Sequence, residues 1–226
     1  MPDYKHNNTL RSQLSKKLQQ FSRVKKVDQI LTRAAVAVTI SAQSKNDQSC
    51  ILLTRRSSKL RKHAGQYALP GGKLDESETL TEAALRELSE ELGLNPRPEN
   101  VIGILDDFPT QSGFCITPVV VWIENHVEMN ANADEVAAVF EVTLKELAEL
   151  TLGASEEEDD TPIEPGADIG NTNNNTEKAV MSVYLPSVGT TVYSPTAAII
   201  YQFREVALAG RSTRVAHFGQ PKFAWK

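Results

Sequence analysis

Glu87, Glu90 and Glu91 lie in the stretch RELSEELG, Arg86 to Gly93, at spacings i, i+3 and i+4. On a helix those spacings gather three carboxylates into about one third of the circumference. Like charges so placed repel by roughly a few tenths of a kcal/mol per pair, and the last two also oppose the helix dipole. A hard divalent cation, Mg2+ or Mn2+, reverses that penalty, because clustered carboxylate oxygens are the ligands it requires. Glutamate is also a good helix former, and such clusters are commonly solvated faces, so spacing alone leaves both readings open. A second chemistry-bearing run is RRSSKLRKH, with Arg55, Arg56, Arg61, Lys62 and His63. Planar guanidinium groups make bidentate phosphate contacts, so this run suits an anionic ligand, and a solvated basic loop is its alternative. His63 by itself reads as a surface residue.

The elements around these residues follow from local pattern. Thr79 and Glu82 form a capping-box pair, Gly93 is a C-terminal stop, and Leu80, Ala83, Ala84, Leu85, Leu88 and Leu92 supply the apolar positions of a helix over 80–92. RAAVAVTIS (33–41) and SCILLTRR (49–56) read as a β-hairpin; 101–108, 115–124, 136–142 and MSVYLP read as further strands. TLKELAEL reads as a short helix. Ser194 and Pro195 read as the N-cap and first turn of a helix running to Gly210, with Ala198, Ile199, Phe203 and Val206 facing the core. Leu10, Leu14, Leu18, Phe21 and Val24 recur at helical spacing near the N-terminus, as a core-packing helix or an oligomer contact that would make a homodimer. The mixture is α+β or α/β. Residues 153–178 are acidic, Asn-rich and almost without large apolar side chains, so their burial cannot offset ordering entropy, and a mobile insertion is expected.

At 226 residues the chain is long enough for one sizeable core, and one domain is expected. A net charge of −5 gives no global attraction to nucleic acid or anionic membrane, so an anionic partner must be held locally or through a metal. Cys50 and Cys115 both sit in apolar runs, which suits buried thiols in a reducing compartment. The first residues lack the apolar core of a signal peptide, and no apolar run approaches the ~20 residues of a membrane span, so a cytoplasmic protein is expected.

GKLDESETLTEAALRELSEELGL, Gly72 to Leu94, resembles the Nudix box at every fixed position: Gly72, Glu78, Arg86, Glu87, Leu88, Glu90, Glu91, Gly93 and Leu94. The resemblance implies an α/β/α sandwich around a mixed sheet that hydrolyses a nucleoside diphosphate linked to another moiety. It implies metal ligands at Glu87, Glu90 and Glu91, with the Gly72 carbonyl added, and an Arg86–Glu78 pair holding loop against helix. Glu90 is the first candidate for the base that activates water, and Glu135, on a loop after the box, the second. Upstream, LLTRRSSKLRKHAGQYALPGG, Leu52 to Gly72, is similar to the signature of the coenzyme A diphosphatase branch, with Leu69 where a Phe is usual. That similarity implies Thr54, Arg55, Arg56, Arg61 and His63 as substrate contacts. It also implies coenzyme A or a derivative as substrate, giving 3′,5′-ADP and 4′-phosphopantetheine. ADP-ribose or a dinucleotide is the nearest alternative, and a non-catalytic nucleotide-binding regulator is an alternative of another class. The resemblance covers roughly 33–210, leaving 1–32 as a helical extension and 211–226 as a tail.

Overall fold

The computed structural model describes residues 3–26, 30–124, 128–150 and 179–221, and the backbone of 152–155 and 162–163. Helix α1 (Asn8–Gln20) precedes strands β1 (Thr32–Ala42), β2 (Ser49–Arg56), β3 (Tyr67–Ala68) and β4 (Gly71–Lys73). Helix α2 (Leu80–Leu92) follows, then β5 (Val101–Ile104), β6 (Phe108–Pro109), β7 (Phe114–Trp122) and β8 (Val136–Thr143). After α3 (Leu144–Ala148) come β9 (Leu152–Ser155), β10 (Pro162–Ile163), β11 (Val180–Leu185), β12 (Thr190–Tyr193), α4 (Thr196–Phe203) and a π-helical turn, Arg204–Leu208.

The large sheet runs β3-β2-β1-β7-β5, with β4 paired to β1, β6 to β7 and β8 to β2. Among the described strands of this sheet only β1 and β7 pair in parallel, so the sheet is mixed. Alternation along β1 divides the core between its two faces. Ala35 and Ala37, together with Cys50 and Leu52, pack under Ala83, Ala84, Leu88 and Leu92 of α2; the small side chains let that helix lie close. Val38 and Ile40, with Ile51 and Leu53, join α1, α3 and α4 on the other face. The result is the expected α/β/α sandwich.

The N-terminal helix is a core element. Leu10, Leu14 and Leu18 are buried within the chain's own core, so its apolar face is not left for an oligomer contact. Val24 lies beyond the helix end and is 41% exposed, a correction to its expected core role. Ahead of the helix, His6 stacks on Trp122 with centroids 4.0 Å apart. Its Nε2 donates to the Ile123 carbonyl (2.8 Å) and its Nδ1 accepts from the Ser49 hydroxyl (3.0 Å). Val215 and Phe218, from the C-terminal segment, join the same core.

Three further expectations are corrected. The stretch 101–108 breaks into β5 and β6, because Asp106 and Asp107 turn inward to guanidinium groups between them. Ser194 does not cap α4: its hydroxyl donates to the Met181 carbonyl (3.2 Å) and Pro195 stands at the N-cap without a side-chain bond. Within 153–178, residues 153–155 and 162–163 are strands of a second antiparallel sheet, β10-β9-β11-β12, whose backbone pairing supplies what their side chains do not. The remainder of that stretch, 156–161 and 164–178, lies outside the described residues.

Candidate active site

Helix α2 begins and ends as its sequence dictates. The Thr79 hydroxyl accepts from the Glu82 N–H (3.2 Å), and the Glu82 carboxylate accepts from the Thr79 N–H (2.8 Å). Gly93 closes the helix at φ 67°, a left-handed conformation that favours glycine. With its leucines turned into the sheet, the helix carries its glutamates along one flank. Arg86 is their hub. Its Nε and Nη2 donate to the two Glu78 oxygens (2.9 and 3.1 Å), and Nη2 also donates to the Lys73 carbonyl (3.0 Å). Its Nη1 reaches Glu87 (2.9 Å) and Glu90 (2.8 Å). The Arg86–Glu78 pair expected from the box is therefore present, and the same guanidinium also serves two of the expected ligands.

One guanidinium cannot neutralise all these acids. Glu91 is 3% exposed, and burial pushes its carboxyl up to about 7; Arg56, 3.9 Å away, opposes that rise, and the charges of Glu87 and Glu135 reinforce it. Burial also raises Glu87, against the pull of Arg86 and with the charges of Glu90 and Glu135 adding to it. Glu135 thus stands within electrostatic reach of both helix carboxylates. Its loop is fixed by the Glu135 carbonyl accepting from Ser57 N–H (2.8 Å), by Asn132 N–H donating to the Glu91 carbonyl (2.9 Å), and by a Lys59–Asp134 ion pair (2.9 Å). Gly72 lies directly against Glu87: a Cβ there would overlap its carboxylate. Oxygen donors with surplus negative charge are what a hard divalent cation requires. Among the described residues, no three His, Cys, Asp or Glu side chains converge on one point as a metal site, and Arg86 Nη1 bridges Glu87 and Glu90. In charge and donor type the set fits such an ion at Glu87, Glu90, Glu91 and the Gly72 carbonyl.

A cavity of about 400 Å³ opens on the α4 side of the sheet. Its apolar wall includes Tyr67, Leu69, Phe114, Ile116 and Ile199. Its cations are Arg56, Lys62 and Lys73, and among the described residues no carboxylate lines it. Cavity and carboxylates meet at two places: Arg56, which lines the one and pairs with Glu91, and Gly71–Gly72, where no side chain intervenes. Arg56 Nε is buried without a protein partner.

Of the five expected substrate contacts, Arg56 and His63 line the cavity, as does Lys62 of the basic run, whereas Thr54, Arg55 and Arg61 do not. Thr54 is buried, its hydroxyl donating to the Ala68 carbonyl (3.0 Å), so it fastens β2 to β3. Arg55 is exposed, turned away from Thr54 and Arg56 by strand alternation, and Arg61 is exposed on the following loop. His63 sits at φ 56°, and burial and the nearby Arg56 charge lower its pKa, against a hydrogen bond with Gln66 that raises it. Lys73, Phe114, Ile199 and Gln220 also line the cavity, and nothing local in the sequence marks them for it; they come from four separate segments.

The NUDIX domain model matches residues 31–161. The chain belongs to the Nudix family. A Nudix hydrolase of Citrobacter koseri, designated NudL and uncharacterized, is 48% identical over 101 residues, covering 44% of this chain and 53% of that protein. The NudL protein of Klebsiella pneumoniae is 46% identical over 119 residues, covering 52% and 60%. The chain thus spans about half the length of these curated relatives. Among solved structures, a MutT/nudix family protein from Enterococcus faecalis aligns with a TM-score of 0.45 at 16% identity, covering 77% of this chain and 56% of that one. No helix among the described residues is long and apolar enough to cross a membrane. The Nudix match contains the whole carboxylate flank but stops short of α4 and Gln220, so part of the cavity wall comes from outside the matched segment.

Proposed function

We propose that this Nudix protein hydrolyses the pyrophosphate bond of a nucleoside diphosphate derivative with the help of Mg2+ or Mn2+, and that coenzyme A or a derivative is its substrate. The carrying observation is the junction at Arg56 and Gly71–Gly72, which sets an anion-binding cavity against a carboxylate flank. Arg56, Lys62 and Lys73 hold phosphate oxygens from the cavity side. Arg86, locked by Glu78, fixes the positions of Glu87 and Glu90. Glu90, or Glu135 from its loop, accepts the proton of the attacking water; the water oxygen bonds to phosphorus, the bridging P–O bond breaks, and two phosphomonoesters leave. A bound divalent ion supplies charge neutralisation at the phosphates and a lowered pKa for water. The rest is positioning, which phosphoryl transfer rewards.

Leu69 on the cavity wall, and Arg55 and Arg61 outside it, favour a second substrate reading, ADP-ribose or a dinucleotide, because fewer cations face the ligand than the basic run offers. The non-catalytic reading loses ground, since every box carboxylate is present. The experiment incubates the protein with coenzyme A, ADP-ribose and diadenosine polyphosphates under each metal and separates the products. Formation of 3′,5′-ADP and 4′-phosphopantetheine at the highest kcat/KM is the expected result. Preference for another substrate rejects coenzyme A, and absence of turnover throughout rejects the hydrolase.

A further inference from the structure

Gln220 is a cavity residue contributed by the C-terminal segment, and its carboxamide is half used. It is 6% exposed, and its Oε1 accepts from the Gln111 N–H (2.7 Å). That contact fixes the amide orientation, because a backbone N–H needs the oxygen. Its Nε2 has no hydrogen bond among the described residues. The segment is held in place from both sides: Gly219 N–H donates to the Ala179 carbonyl (2.9 Å), and Phe218 is buried in the core. The cavity that Gln220 lines also has Ile116, Phe114 and Ile199 as apolar surface and the Thr110 and Ser112 hydroxyls as polar groups. Thr110 Oγ1 is already engaged with Ser112 and with the Phe114 backbone. Nε2 is not among the donors sealed from solvent, and a ligand acceptor at this position replaces water as its partner.

We infer that Gln220 is a specificity residue of this site: its Nε2 donates to an uncharged hydrogen-bond acceptor on the substrate arm that lies against Ile116, Phe114 and Ile199. This rests on the hydrolase reading above. The chemistry required is a neutral, largely apolar group ending in an acceptor, which is either an amide carbonyl, as in pantetheine, or a ring nitrogen, as in adenine.

Two variants test it. Gln220→Glu keeps an acceptor for Gln111 N–H and removes both donors; Gln220→Leu removes the donors without adding charge. Both are expected to raise KM for coenzyme A on the order of tenfold with kcat little changed, the effect of one lost hydrogen bond in a site built to make it. The same loss with ADP-ribose identifies adenine as the acceptor, and loss with coenzyme A alone identifies the pantetheine amide. Unchanged KM for both substrates, a fall in kcat at constant KM, or a loss confined to the Glu variant overturns the assignment. Should the wild type turn over neither substrate, the hydrolase reading fails by itself. The subsite is then read by calorimetry with adenosine 3′,5′-bisphosphate and 4′-phosphopantetheine: roughly tenfold weaker binding of one of them to both variants supports it, and unaltered binding of both overturns it.

Discussion

Two clusters of arginines and carboxylates occupy this molecule, one on the α2 flank and one where residues 22–26 meet the β5–β6 loop and the C-terminal segment. In the second, Asp107 is 1% exposed; burial would raise its pKa, yet the Thr117 hydroxyl, Arg23 and the Lys26 N–H together hold it low. Asp106 beside it accepts from both Arg214 Nη1 contacts (2.8 Å), from Gln202 (2.8 Å) and from the Val24 N–H (2.7 Å). Two aspartates face three guanidiniums there, Arg23, Arg33 and Arg214. On the α2 flank, Glu78, Glu87, Glu90 and Glu91 share Arg86 and Arg56, and the half-buried Glu87 and the buried Glu91 are raised. Similar residue types thus give opposite electrostatics. The aspartate cluster is satisfied internally and tethers the N-terminal segment to the domain, whereas the glutamate cluster keeps carboxylates in excess of its guanidiniums, an arrangement suited to a cation from outside.

The sharpest way to break this contrast is to exchange the expected effects. Glu90→Gln should lower kcat/KM on the order of 10²–10⁴-fold while leaving the thermal midpoint unchanged or higher. Glu135→Gln measured beside it names the base, as the variant with the larger loss in kcat. Asp107→Ala should do the reverse, costing about 3–5 kcal/mol of stability in urea denaturation with kcat/KM of the folded protein retained. Its pH dependence carries a definite sign. A carboxyl held below its ordinary value contributes stability present above about pH 4 and lost as pH falls through its depressed pKa, so wild type and Asp107→Ala should converge in acid. Equal stability at neutral pH would place the aspartates outside the tethering role.

Metal addition separates the clusters more finely. Mg2+ or Mn2+ at about 100 times its Kd should stabilise the wild type by about 2.7 kcal/mol. Glu91→Gln should remove most of that gain and Asp107→Ala none of it; an equal gain in all three would take the ion away from α2. The smallest effect belongs to Thr54→Val, expected to cost about 1 kcal/mol of stability at unaltered KM. A raised KM there would return Thr54 to the substrate site.

How far the site was legible follows the range of the interactions. The helix limits at 80 and 92 and both caps depend on contacts within a few residues along the chain and appear as read, while the Arg86–Glu78 pair was implied by the resemblance to the box. The basic run was legible as a phosphate-binding element but not residue by residue. Thr54, Arg55 and Arg56 are consecutive, and only the pairing of β2 with β3 and the packing of α2 decide that the first fastens strands, the second faces solvent and the third reaches Glu91. The aspartate cluster went unread because VIGILDDF has a strand's apolar content, while the arginines that break it come from residues 23, 33 and 214.

The sequence by itself determined the carboxylate helix, since spacing on one helix turns directly into proximity, and, through its resemblance to the fixed residues of the box, the family. Only the tertiary structure decided which cations line the cavity, and that α4 and Gln220 complete it. Those residues are brought together by sheet order and by the docking of the C-terminal segment, long-range contacts that no local period in the chain records.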